Sequence, residues 1–464
     1  MSESALAARV LNALLREDYG GLSRQISRTR DGVRMSLPDG MVVRLVPGRL
    51  YQDFVVAPEE RLRLAQVLGA LDHVADPADA EGVAAFAEEC AAALMTDGLR
   101  DRQAPTSYEA LAATLEHPVY PTARARIGLT ADQLLAYAPE FAPTFALRWV
   151  AVPGHDEPFP VHPLTLGRAL EVEGTRAVER PDTLVRPTLS MRTVELDART
   201  HLKLPLPVST LGTRNRRSIR PGTLRDGALA ELLVRRLADP DVLVADEQTY
   251  AETGHEYLAW MIRRLPAGEI VPVAALTAPG VLDRFGDVLP GYLRILLRWN
   301  VRLFVEYGVA LEAHQQNLAL VFAADGMRLL VKDNDGLLAS PARLAAAGVA
   351  VPAFGDGRML TDDPHALADV FVTITLHLAA AAVAFGALPY ERAARLLRAT
   401  LAEALDEHGE HPMARLLRAR TLDAARLTGK SMVTAGTLVA KERTGARDVN
   451  KFYGASGPNY LRRA

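Results

Sequence analysis

The sequence predicts an α+β protein in which two mainly helical segments flank a central segment of short strands. Apolar residues recur at helical spacing near the start of the 464-residue chain and again after residue 278. Between these segments prolines are frequent, and short apolar runs alternate with polar loops, which is typical of a largely antiparallel sheet. We therefore expect three domains, at residues 1–115, 116–277 and 278–464.

The segment 1–115 is predicted to be a helical domain with a small β-hairpin. Arg34–Leu37 and Met41–Val46 flank Pro38-Asp39-Gly40, which is a turn signal between two strands. No residue of this segment has the pattern of a catalytic group. Helical spacing occurs in three stretches: residues 1–30, Glu59–Leu71 and Glu81–Met95.

The segment 116–277 is predicted to be a mixed α+β domain. Its prolines restrict the backbone and favour extended chain over long helices. The runs that we expect to form strands are Phe145–Val150, Thr183–Leu189, Thr193–Leu196 and His201–Leu206.

The segment 278–464 is predicted to be mostly helical, with one β-hairpin. An apolar stripe runs along Leu289–Ala313, which predicts a long helix. The hairpin comprises residues 318–332 and turns at Ala324-Asp325-Gly326. Three further helices are expected at Pro364–Leu388, Glu391–His408 and Ala414–Leu427.

The run Val370–Leu388 is long and apolar enough to resemble a membrane span. It nevertheless contains Thr373, Thr375 and His377, and it has no basic flank or aromatic belt. We therefore interpret it as a helix that is buried on all sides in a large helical domain.

Composition excludes several classes of function. The formal net charge of -3 gives no global attraction to nucleic acid or to an anionic membrane, so neither is expected as a partner. A single cysteine, Cys90, excludes an internal disulfide, a four-cysteine zinc site and a cysteine-ligated iron–sulfur cluster. The N-terminus lacks the basic and apolar regions of a signal peptide, so the expected location is the cytoplasm.

The most informative feature is a cluster of polar residues in Glu312-Ala-His314-Gln-Gln316-Asn, placed at the predicted end of the apolar helix. Asp333 then follows on the returning strand of the hairpin. Buried carboxylates, amides and imidazoles each cost about 1–3 kcal/mol unless they are paired, so packing alone rarely selects such a cluster. We interpret it as a site for a magnesium nucleotide and a substrate.

A second cluster combines hydroxyl groups with cations. Ser190, Arg192 and Thr193 lie at a predicted junction of loop and strand, and Lys203 lies on the next strand. Thr210 and Arg214 follow; the run Arg214–Arg217 considered alone is more typical of ordinary surface charge. Arginine binds phosphate or carboxylate oxygens in a bidentate manner and lysine acts as a point charge, so the spacing of these cations across one sheet favours an anion site.

A third region is His117-Pro-Val-Tyr-Pro121, followed by Arg124 and Arg126. The prolines stiffen the loop, and the two arginines lie on one side if the chain is extended.

Common nucleotide and metal motifs are missing. Gly429-Lys430-Ser431 is not a phosphate-binding P-loop, because Ala424 occupies the position of the first glycine. The pair His408 and His411 lacks the helical spacing of a zinc site.

Together these regions resemble the IucA/IucC family of siderophore synthetases, which join polycarboxylates to amines or alcohols with ATP. The resemblance runs from about residue 110 to the C-terminus. Four positions depart from the usual family pattern: Tyr120 replaces histidine, Arg124 replaces lysine, Leu164-Thr165 replaces Trp-Gln, and Lys332 replaces arginine. The matching pieces are the HPxxP loop at His117, Tyr137–Phe141, Val161–Pro163, the S-x-R-T run at Ser190, the spacing of Lys203, Thr210 and Arg214, and E-A-H-x-Q-N at Glu312 with Asp333.

The resemblance implies a cradle of thumb (1–115), fingers (116–277) and palm (278–464), with ATP bound between fingers and palm. It implies that ATP is contacted by Ser190, Arg192, Thr193, Lys203, Arg124, Arg126 and His117. It assigns the substrate carboxylate to Thr210, Arg214 and His314. It assigns Mg²⁺ to Glu312, Gln316 and Asp333, which fits the preference of this ion for oxygen ligands.

The resemblance also implies an activity. The enzyme would adenylate citrate or a related di- or tricarboxylate and condense it with a polyamine, hydroxylamine or hydroxyl nucleophile, releasing AMP and pyrophosphate. His314, Arg214 and Lys203 would be the catalytic residues. Members of the family often form dimers, which makes a homodimer an option here.

Two other classes of function stay open at this point. One is a phosphotransferase in which Asp333 binds metal and a hydroxyl group receives the γ-phosphate. The other is a non-catalytic binder of siderophore or polycarboxylate, which would have no need for magnesium ligands. Ferric-siderophore reductases need a cysteine cluster that this sequence lacks.

Overall fold

The N-terminal part combines helices with a small meander of strands. In a computed structural model the chain is described at residues 1–100, 105, 107–446 and 451–462. The predicted hairpin is confirmed, with Met35 opposite Val43. The predicted helix over residues 1–30 is only partly confirmed, because Asp18, Gly20 and Gly21 adopt left-handed backbone angles that end the first helix. The elements are α1 (Glu3–Glu17), β1 (Ile26–Thr29), β2 (Gly32–Ser36), β3 (Val42–Pro47), β4 (Phe54–Val56), α2 (Leu64–Val74) and α3 (Ala80–Gly98).

The central part contains a six-stranded antiparallel sheet in the order β13-β14-β11-β10-β9-β5 and a three-stranded sheet in the order β7-β6-β8. The prediction of a largely antiparallel sheet is thereby confirmed. The elements are α4 (Tyr108–Ala113), α5 (Ala131–Tyr137), β5 (Phe145–Ala146), β6 (Arg148–Ala151), β7 (Phe159–Val161), α6 (Leu166–Leu170), β8 (Arg176–Val178), β9 (Leu184–Pro187), β10 (Thr193–Asp197), β11 (Thr200–Lys203), α7 (Thr223–Arg236), β12 (Val242–Val244), β13 (Asp246–Glu252), β14 (Ala259–Arg264) and β15 (Glu269–Pro272).

The C-terminal part is mostly helical and carries the predicted hairpin. That hairpin joins strands from before residue 277 in a sheet of order β12-β18-β17-β15, in which β12 pairs with β18 in parallel. The elements are α8 (Val281–Phe285), α9 (Leu289–Arg302), a π-helical turn (Leu303–Tyr307), β16 (Val309–Ala310), β17 (Leu318–Ala323), β18 (Gly326–Val331), β19 (Leu338–Ala339), α10 (Pro341–Ala346), α11 (Pro364–Val370), a π-helix (Phe371–Ala381), α12 (Ala382–Ala387), α13 (Tyr390–Asp406), α14 (Pro412–Thr421), β20 (Arg426–Gly429), a second π-helix (Thr434–Leu438), α15 (Lys441–Thr444) and β21 (Ala455–Pro458).

The predicted helix Leu289–Ala313 is too long. It ends at Tyr307, because Gly308 is left-handed with φ 62° and a side chain there would lie 2.5 Å from Cδ of Arg343. Val309–Ala310 then pairs with Leu338–Ala339 as a short strand. The polar cluster beginning at Glu312 therefore lies in a loop between two strands and not at a helix end.

The apolar run that resembled a membrane span lies inside the protein. By length and composition Pro364–Ala387 could cross a membrane, but 78% of its most apolar window is buried. Within it His377 stacks on the ring of Tyr51 at 4.1 Å between centroids. Its ring nitrogens also lie 2.9 Å from the hydroxyl of Tyr460 and from the carbonyl of Thr428. The run is thus a central core helix that also contacts the N-terminal part.

His377 should make the fold sensitive to acid. Burial lowers the pKa of His377 to about 3 from an ordinary value of 6.5. The unfolded chain therefore binds more protons than the folded chain between these values, so the stabilisation is complete above pH 6.5 and is lost as the pH falls. At pH 5 we expect a loss of about 2 kcal/mol from this residue.

Urea titrations at pH 7 and pH 5 test this prediction. The variant His377→Gln should lose less free energy of unfolding between the two pH values than the wild type does. The control His73→Gln, at an exposed position, should keep the pH dependence of the wild type. An equal loss in His377→Gln and the wild type would refute the assignment.

Candidate active site

One large cavity receives residues from all three parts of the chain. It has a volume of about 1280 Å³. The predicted site residues that line it are His117, Arg124, Arg126, Ser190, Arg192, Thr210, Arg214, Glu312, His314, Gln316 and Asp333. Thr193 and Lys203 do not line it. The three polar regions of the sequence therefore meet in one place, although they are far apart along the chain.

Asp333 lies two residues after the end of β18, where the chain leaves the sheet. It adopts a left-handed backbone angle (φ 64°), which aspartate tolerates better than most residues. Oδ1 of Asp333 lies 2.5 Å from Nζ of Lys203 and 3.8 Å from Nη2 of Arg263. Burial alone would raise the pKa of Asp333, but the charges of Lys203 and Arg263 outweigh it and hold the pKa well below its usual range. Asp333 is therefore an anion fixed at the cavity wall.

Lys203 lies behind this carboxylate rather than in the cavity. Its side chain is almost fully buried and also contacts Oδ2 of Asp335 at 3.1 Å. The ammonium group is thus shared by two carboxylates of the Asp333-Asn-Asp335 loop. Thr193 lies opposite Lys203 in the ladder between β10 and β11 and is buried in the sheet. The structure therefore positions both residues as supports of the cavity wall.

The buried ion pair of Arg263 and Glu247 contacts Asp333 and holds it in place. Nε of Arg263 donates to Oε1 of Glu247 at 2.5 Å, and the same oxygen accepts the backbone N–H of Asp333 at 2.9 Å. Arg263 and Glu247 are each at most 3% exposed. Burial raises the pKa of Glu247, against the charge of Arg263. Because both partners are buried, the removal of either one would leave an unpaired charge beside Asp333.

Three arginines bring positive charge to the cavity with few negative partners. Nε of Arg192, Nε of Arg217 and Nη1 of Arg214 are buried and have no hydrogen-bond partner among the described residues. Burial, followed by the charge of Arg192, lowers the pKa of Arg217 to about 9. Buried polar groups are normally hydrogen-bonded. These unsatisfied guanidinium groups therefore fit a bound polyanion.

Arg124 and Arg126 reach the cavity wall but already bind carboxylates. Arg124 pairs with Asp97 at 3.2 Å and with Glu116. Nη2 of Arg126 lies 3.4 Å from Oε2 of Glu140. Their positive charge is thus partly neutralised, in contrast to that of Arg192 and Arg217.

His117 and His314 lie in the cavity as neutral side chains. Burial, followed by the charges of His314 and Arg9, lowers the pKa of His117 to about 3. Burial and the charge of Lys430 lower the pKa of His314 to about 4. Nδ1 of His117 accepts the backbone N–H of Tyr120 at 2.9 Å, and Nδ1 of His314 accepts that of Gln316 at 3.3 Å. The proton of each ring is therefore on Nε2, which can donate to a ligand oxygen.

Several side chains with oxygen donors line the same cavity as Asp333. Glu312 packs so closely on Gly336 that a side chain there would lie 2.0 Å from Oε2 of Glu312. Glu312, Gln316, Asp333 and Asp335 all line the cavity. Within the described part of the chain no group of three or more His, Cys, Asp or Glu side chains forms a ready-made metal site. A site built only by protein ligands is thus not present in that part.

Sequence reasoning missed several charged residues that line the cavity, among them Asp335, Arg217 and Lys430. Asp335 follows Asp333 by two positions, and that spacing was the available signal. Arg217 belongs to a run that looked like surface charge, and Lys430 to a failed P-loop. Nζ of Lys430 lies 3.9 Å from Oε1 of Glu312. No local pattern in the sequence indicates that β20 carries Lys430 into this cavity.

Three of the four departures from the family pattern, Tyr120, Leu164-Thr165 and Lys332, do not line the cavity. Tyr120 is completely buried in the N-terminal core. Nζ of Lys332 lies 3.3 Å from Oε1 of Glu109, on α4, and both are buried. The other carboxylate oxygen of Glu109 accepts the backbone N–H of Leu189 at 2.9 Å. Lys332 therefore points away from Asp333 and, through Glu109, ties its strand to the loop that carries Ser190.

Two family models match parts of the chain. The IucA / IucC family matches residues 106–156. The family described as ferric iron reductase FhuF-like transporter matches residues 289–444. An uncharacterized protein, y4xN of Sinorhizobium fredii (strain NBRC 101917 / NGR234), is 25% identical in an alignment of 316 residues, and the match covers 48% of this chain and 50% of that protein. The match thus spans half the length of this curated relative.

Solved structures share the fold over nearly the whole chain. The petrobactin biosynthesis protein AsbB of Bacillus anthracis superposes with a TM-score of 0.78 at 16% identity, over 99% of this chain and 95% of that one. The ATP-bound aerobactin synthetase IucA of Klebsiella pneumoniae gives 0.72 at 17% identity, over 98% and 99%. The aerobactin synthetase IucC of the same organism gives 0.67 at 18% identity, over 99% of both chains.

The α+β fold predicted from the sequence is thereby confirmed. The IucA/IucC resemblance is confirmed as well, since the family model matches at residues 106–156 and nearly the whole chain shares the fold of AsbB, IucA and IucC.

Proposed function

We propose that the protein is an ATP-dependent, AMP-forming ligase of siderophore biosynthesis that activates a carboxylate and joins it to an amine or hydroxyl group. The supporting observation is that Arg192, Arg214 and Arg217, each with an unsatisfied nitrogen, line the same cavity as the oxygen donors Glu312 and Asp333. A nucleoside triphosphate needs arginines to bind its phosphate groups and oxygen donors to bind its cation. Siderophore formation is proposed from the shared fold of AsbB and IucA.

The chemistry begins with activation of the acid. A carboxylate oxygen attacks the α-phosphorus of ATP, a new P–O bond forms, and the bond to pyrophosphate breaks. The resulting acyl-adenylate has a good leaving group. An amine or hydroxyl group then attacks the acyl carbon and displaces AMP, and the nucleophile loses its proton to solvent. Negative charge develops on phosphate oxygens, and we assign its stabilisation to Arg192 and Arg217.

The carboxylate is assigned to the part of the cavity formed by Thr210, Arg214 and His314. Nη1 of Arg214 is a buried donor without a partner. Nε2–H of the neutral His314 is a second donor. A carboxylate accepts such bonds with both oxygens. The assignment covers citrate and related di- and tricarboxylates, and the nucleophile is assigned as a polyamine or hydroxylamine.

Magnesium fits the oxygen donors of this cavity. Mg²⁺ is usually bound by one or two carboxylates together with phosphate oxygens and water, so a ready-made protein cluster is not required. Glu312, Gln316 and Asp333 would hold it, with Asp335 beside them. A bound ion would neutralise charge on the phosphates. The fixed negative charge of Asp333 supports this assignment, since Lys203 and Arg263 keep it ionised.

The domain layout and location follow the same proposal. Residues 1–115, 116–277 and 278–464 correspond to thumb, fingers and palm, with β12 and β15 joining fingers to palm in one sheet. The proposed location is the cytoplasm, where ATP is available.

Product analysis tests the proposed function. Purified protein with ATP and Mg²⁺ is incubated with citrate, succinate and other carboxylates, each with diamines and hydroxylamines. We expect AMP and pyrophosphate that depend on the acid. ADP as the product would favour a phosphotransferase, and the absence of turnover together with citrate binding would favour a non-catalytic binder.

Arg214→Ala should mainly weaken binding of the acid. Loss of a charged hydrogen-bond donor to a carboxylate costs about 1.5–3 kcal/mol, so the KM for the acid should rise about 10- to 100-fold with a small change in the KM for ATP. Steady-state pyrophosphate release measures both constants. The matched control Arg225→Ala, at an exposed position on α7, should behave as the wild type. A rise in the KM for ATP alone would show that Arg214 is misassigned.

A further inference from the structure

The loop that carries Arg214 is held from outside the cavity by the second π-helix, Thr434–Leu438. The backbone N–H of Arg214 donates to the carbonyl of Gly436 at 3.0 Å. The backbone N–H of Thr213 donates to Oγ1 of Thr437 at 3.1 Å. Two consecutive peptide groups of the loop are thus fixed by residues more than two hundred positions later in the chain.

The Leu211–Arg214 loop packs closely on this π-helix, and its backbone is strained. Leu211 is left-handed with φ 57°, which costs free energy in a residue other than glycine. At Gly212 (φ 112°) a side chain would lie 2.7 Å from the carbonyl oxygen of Gly436. Such a conformation persists only when the surroundings impose it. The conformation of the loop therefore depends on its contacts with Gly436 and Thr437 of the π-helix.

Thr437 is oriented in turn by Glu89 on α3. Oγ1 of Thr437 donates to Oε2 of Glu89 at 2.8 Å, and Oγ1 of Thr122 donates to Oε1 at 2.6 Å. Glu89, Thr122 and Thr437 are fully buried. The single proton of the Thr437 hydroxyl is directed to Glu89, so a lone pair of the same oxygen faces the N–H of Thr213. Glu89 thereby sets the direction of the bond that holds the loop.

The other end of the π-helix has a separate anchor. Glu17 on α1 accepts the backbone N–H groups of Val433 at 3.0 Å and Thr434 at 2.8 Å, and the hydroxyl of Thr434 at 2.8 Å. This anchor has the same chemistry, a buried carboxylate that binds a threonine hydroxyl. Its described hydrogen bonds do not include the Leu211–Arg214 loop. Thr434 is therefore a matched control for Thr437.

We propose that Thr437 and Glu89 are positioning residues that set Arg214 for the acid substrate. Neither residue lines the cavity, so they act through the Leu211–Arg214 loop. The N-terminal part of the chain thereby controls affinity for the acid without contacting it. This inference rests on the proposed function.

The test compares three variants in pyrophosphate release with ATP and citrate, or with succinate if it gives the higher rate. Thr437→Val keeps the shape of the side chain and removes the hydroxyl group. We expect it to raise the KM for the acid about tenfold and to leave the KM for ATP and kcat nearly unchanged. Thr437→Ser restores the hydroxyl group and should restore the KM of the wild type. Thr434→Val should lower the thermal stability about as much as Thr437→Val does. It should leave the KM for the acid unchanged.

The possible outcomes separate this inference from the proposed function. If the wild type forms no AMP and pyrophosphate with any acid, the proposed function fails. If the wild type is active and Thr437→Val has a normal KM for the acid, the inference alone fails. Equal effects of Thr434→Val and Thr437→Val on the KM would show a general structural role and overturn the inference as well. If Thr437→Val does not fold, Thr437→Ala and Glu89→Gln replace it, and the same rise in the KM is expected.

Discussion

Asp333→Asn should lower ATP–pyrophosphate exchange by about a thousandfold or more. The substitution preserves size and keeps one oxygen, but it removes the negative charge that would bind the cation of the nucleotide. Lys203 keeps Asp335 as a partner at 3.1 Å and Arg263 keeps Glu247 at 2.5 Å, so neither buried cation is left unpaired by the substitution. The loss should therefore affect catalysis more than folding.

Isotope exchange between ATP and labelled pyrophosphate measures this effect directly, with circular dichroism to confirm the fold. Asp325→Asn is the matched control, because Asp325 lies in the turn of the same hairpin and has an exposed side chain. Glu312→Gln, which alters a second oxygen donor of the cavity, should also reduce exchange strongly. Normal exchange in both Asp333→Asn and Glu312→Gln would refute the metal assignment.

Lys203→Met should give the second largest loss of ATP–pyrophosphate exchange. We expect this loss because Lys203 holds Asp333, and not because Lys203 contacts the phosphate groups. The substitution removes the shared cation of Asp333 and Asp335. Removal of one partner from a buried ion pair costs about 3–5 kcal/mol, so thermal stability should fall clearly. Exchange should fall about a hundredfold or more because the carboxylates move apart.

A double-mutant cycle separates this role from direct contact with ATP. If Lys203 acts by holding Asp333, Lys203→Met should reduce exchange only slightly further in the Asp333→Asn background. Arg199→Met is the control, since Arg199 is an exposed cation directly before the same strand. Additive effects of the two substitutions would show that Lys203 binds the nucleotide independently.

The sequence was sufficient to predict most of the secondary-structure elements near the site. The β-hairpin at Ala324-Asp325-Gly326 and the strands that carry Thr193 and Lys203 are found where alternating apolar residues and turn signals predict them. Such patterns are local, because they depend on spacing within one strand or one turn. The helix before Glu312 was predicted too long for a related reason: its apolar stripe continues into the strand Val309–Ala310, and apolar spacing does not distinguish the two.

The sequence could not show which of its polar residues face the cavity. Lys203 looked like a phosphate ligand because it is a cation near Ser190 and Arg192, yet its ammonium group is held by Asp333 and Asp335. Arg217 looked like surface charge, yet it lies in the cavity with an unsatisfied nitrogen. The direction of a long side chain depends on the elements that cross over it, and these are distant in the chain.

By itself the sequence determined the classes of residue at the site, their order along the chain and the family that they resemble. The tertiary structure alone decided which of them meet, that Lys430, directly after β20, joins them, and that Glu89 and Thr437 hold the loop of Arg214. The physical reason is that periodicity and turn chemistry act over a few residues. By contrast, whether a charged group is buried, and whether it then has a partner, depends on how distant parts of the chain pack against each other.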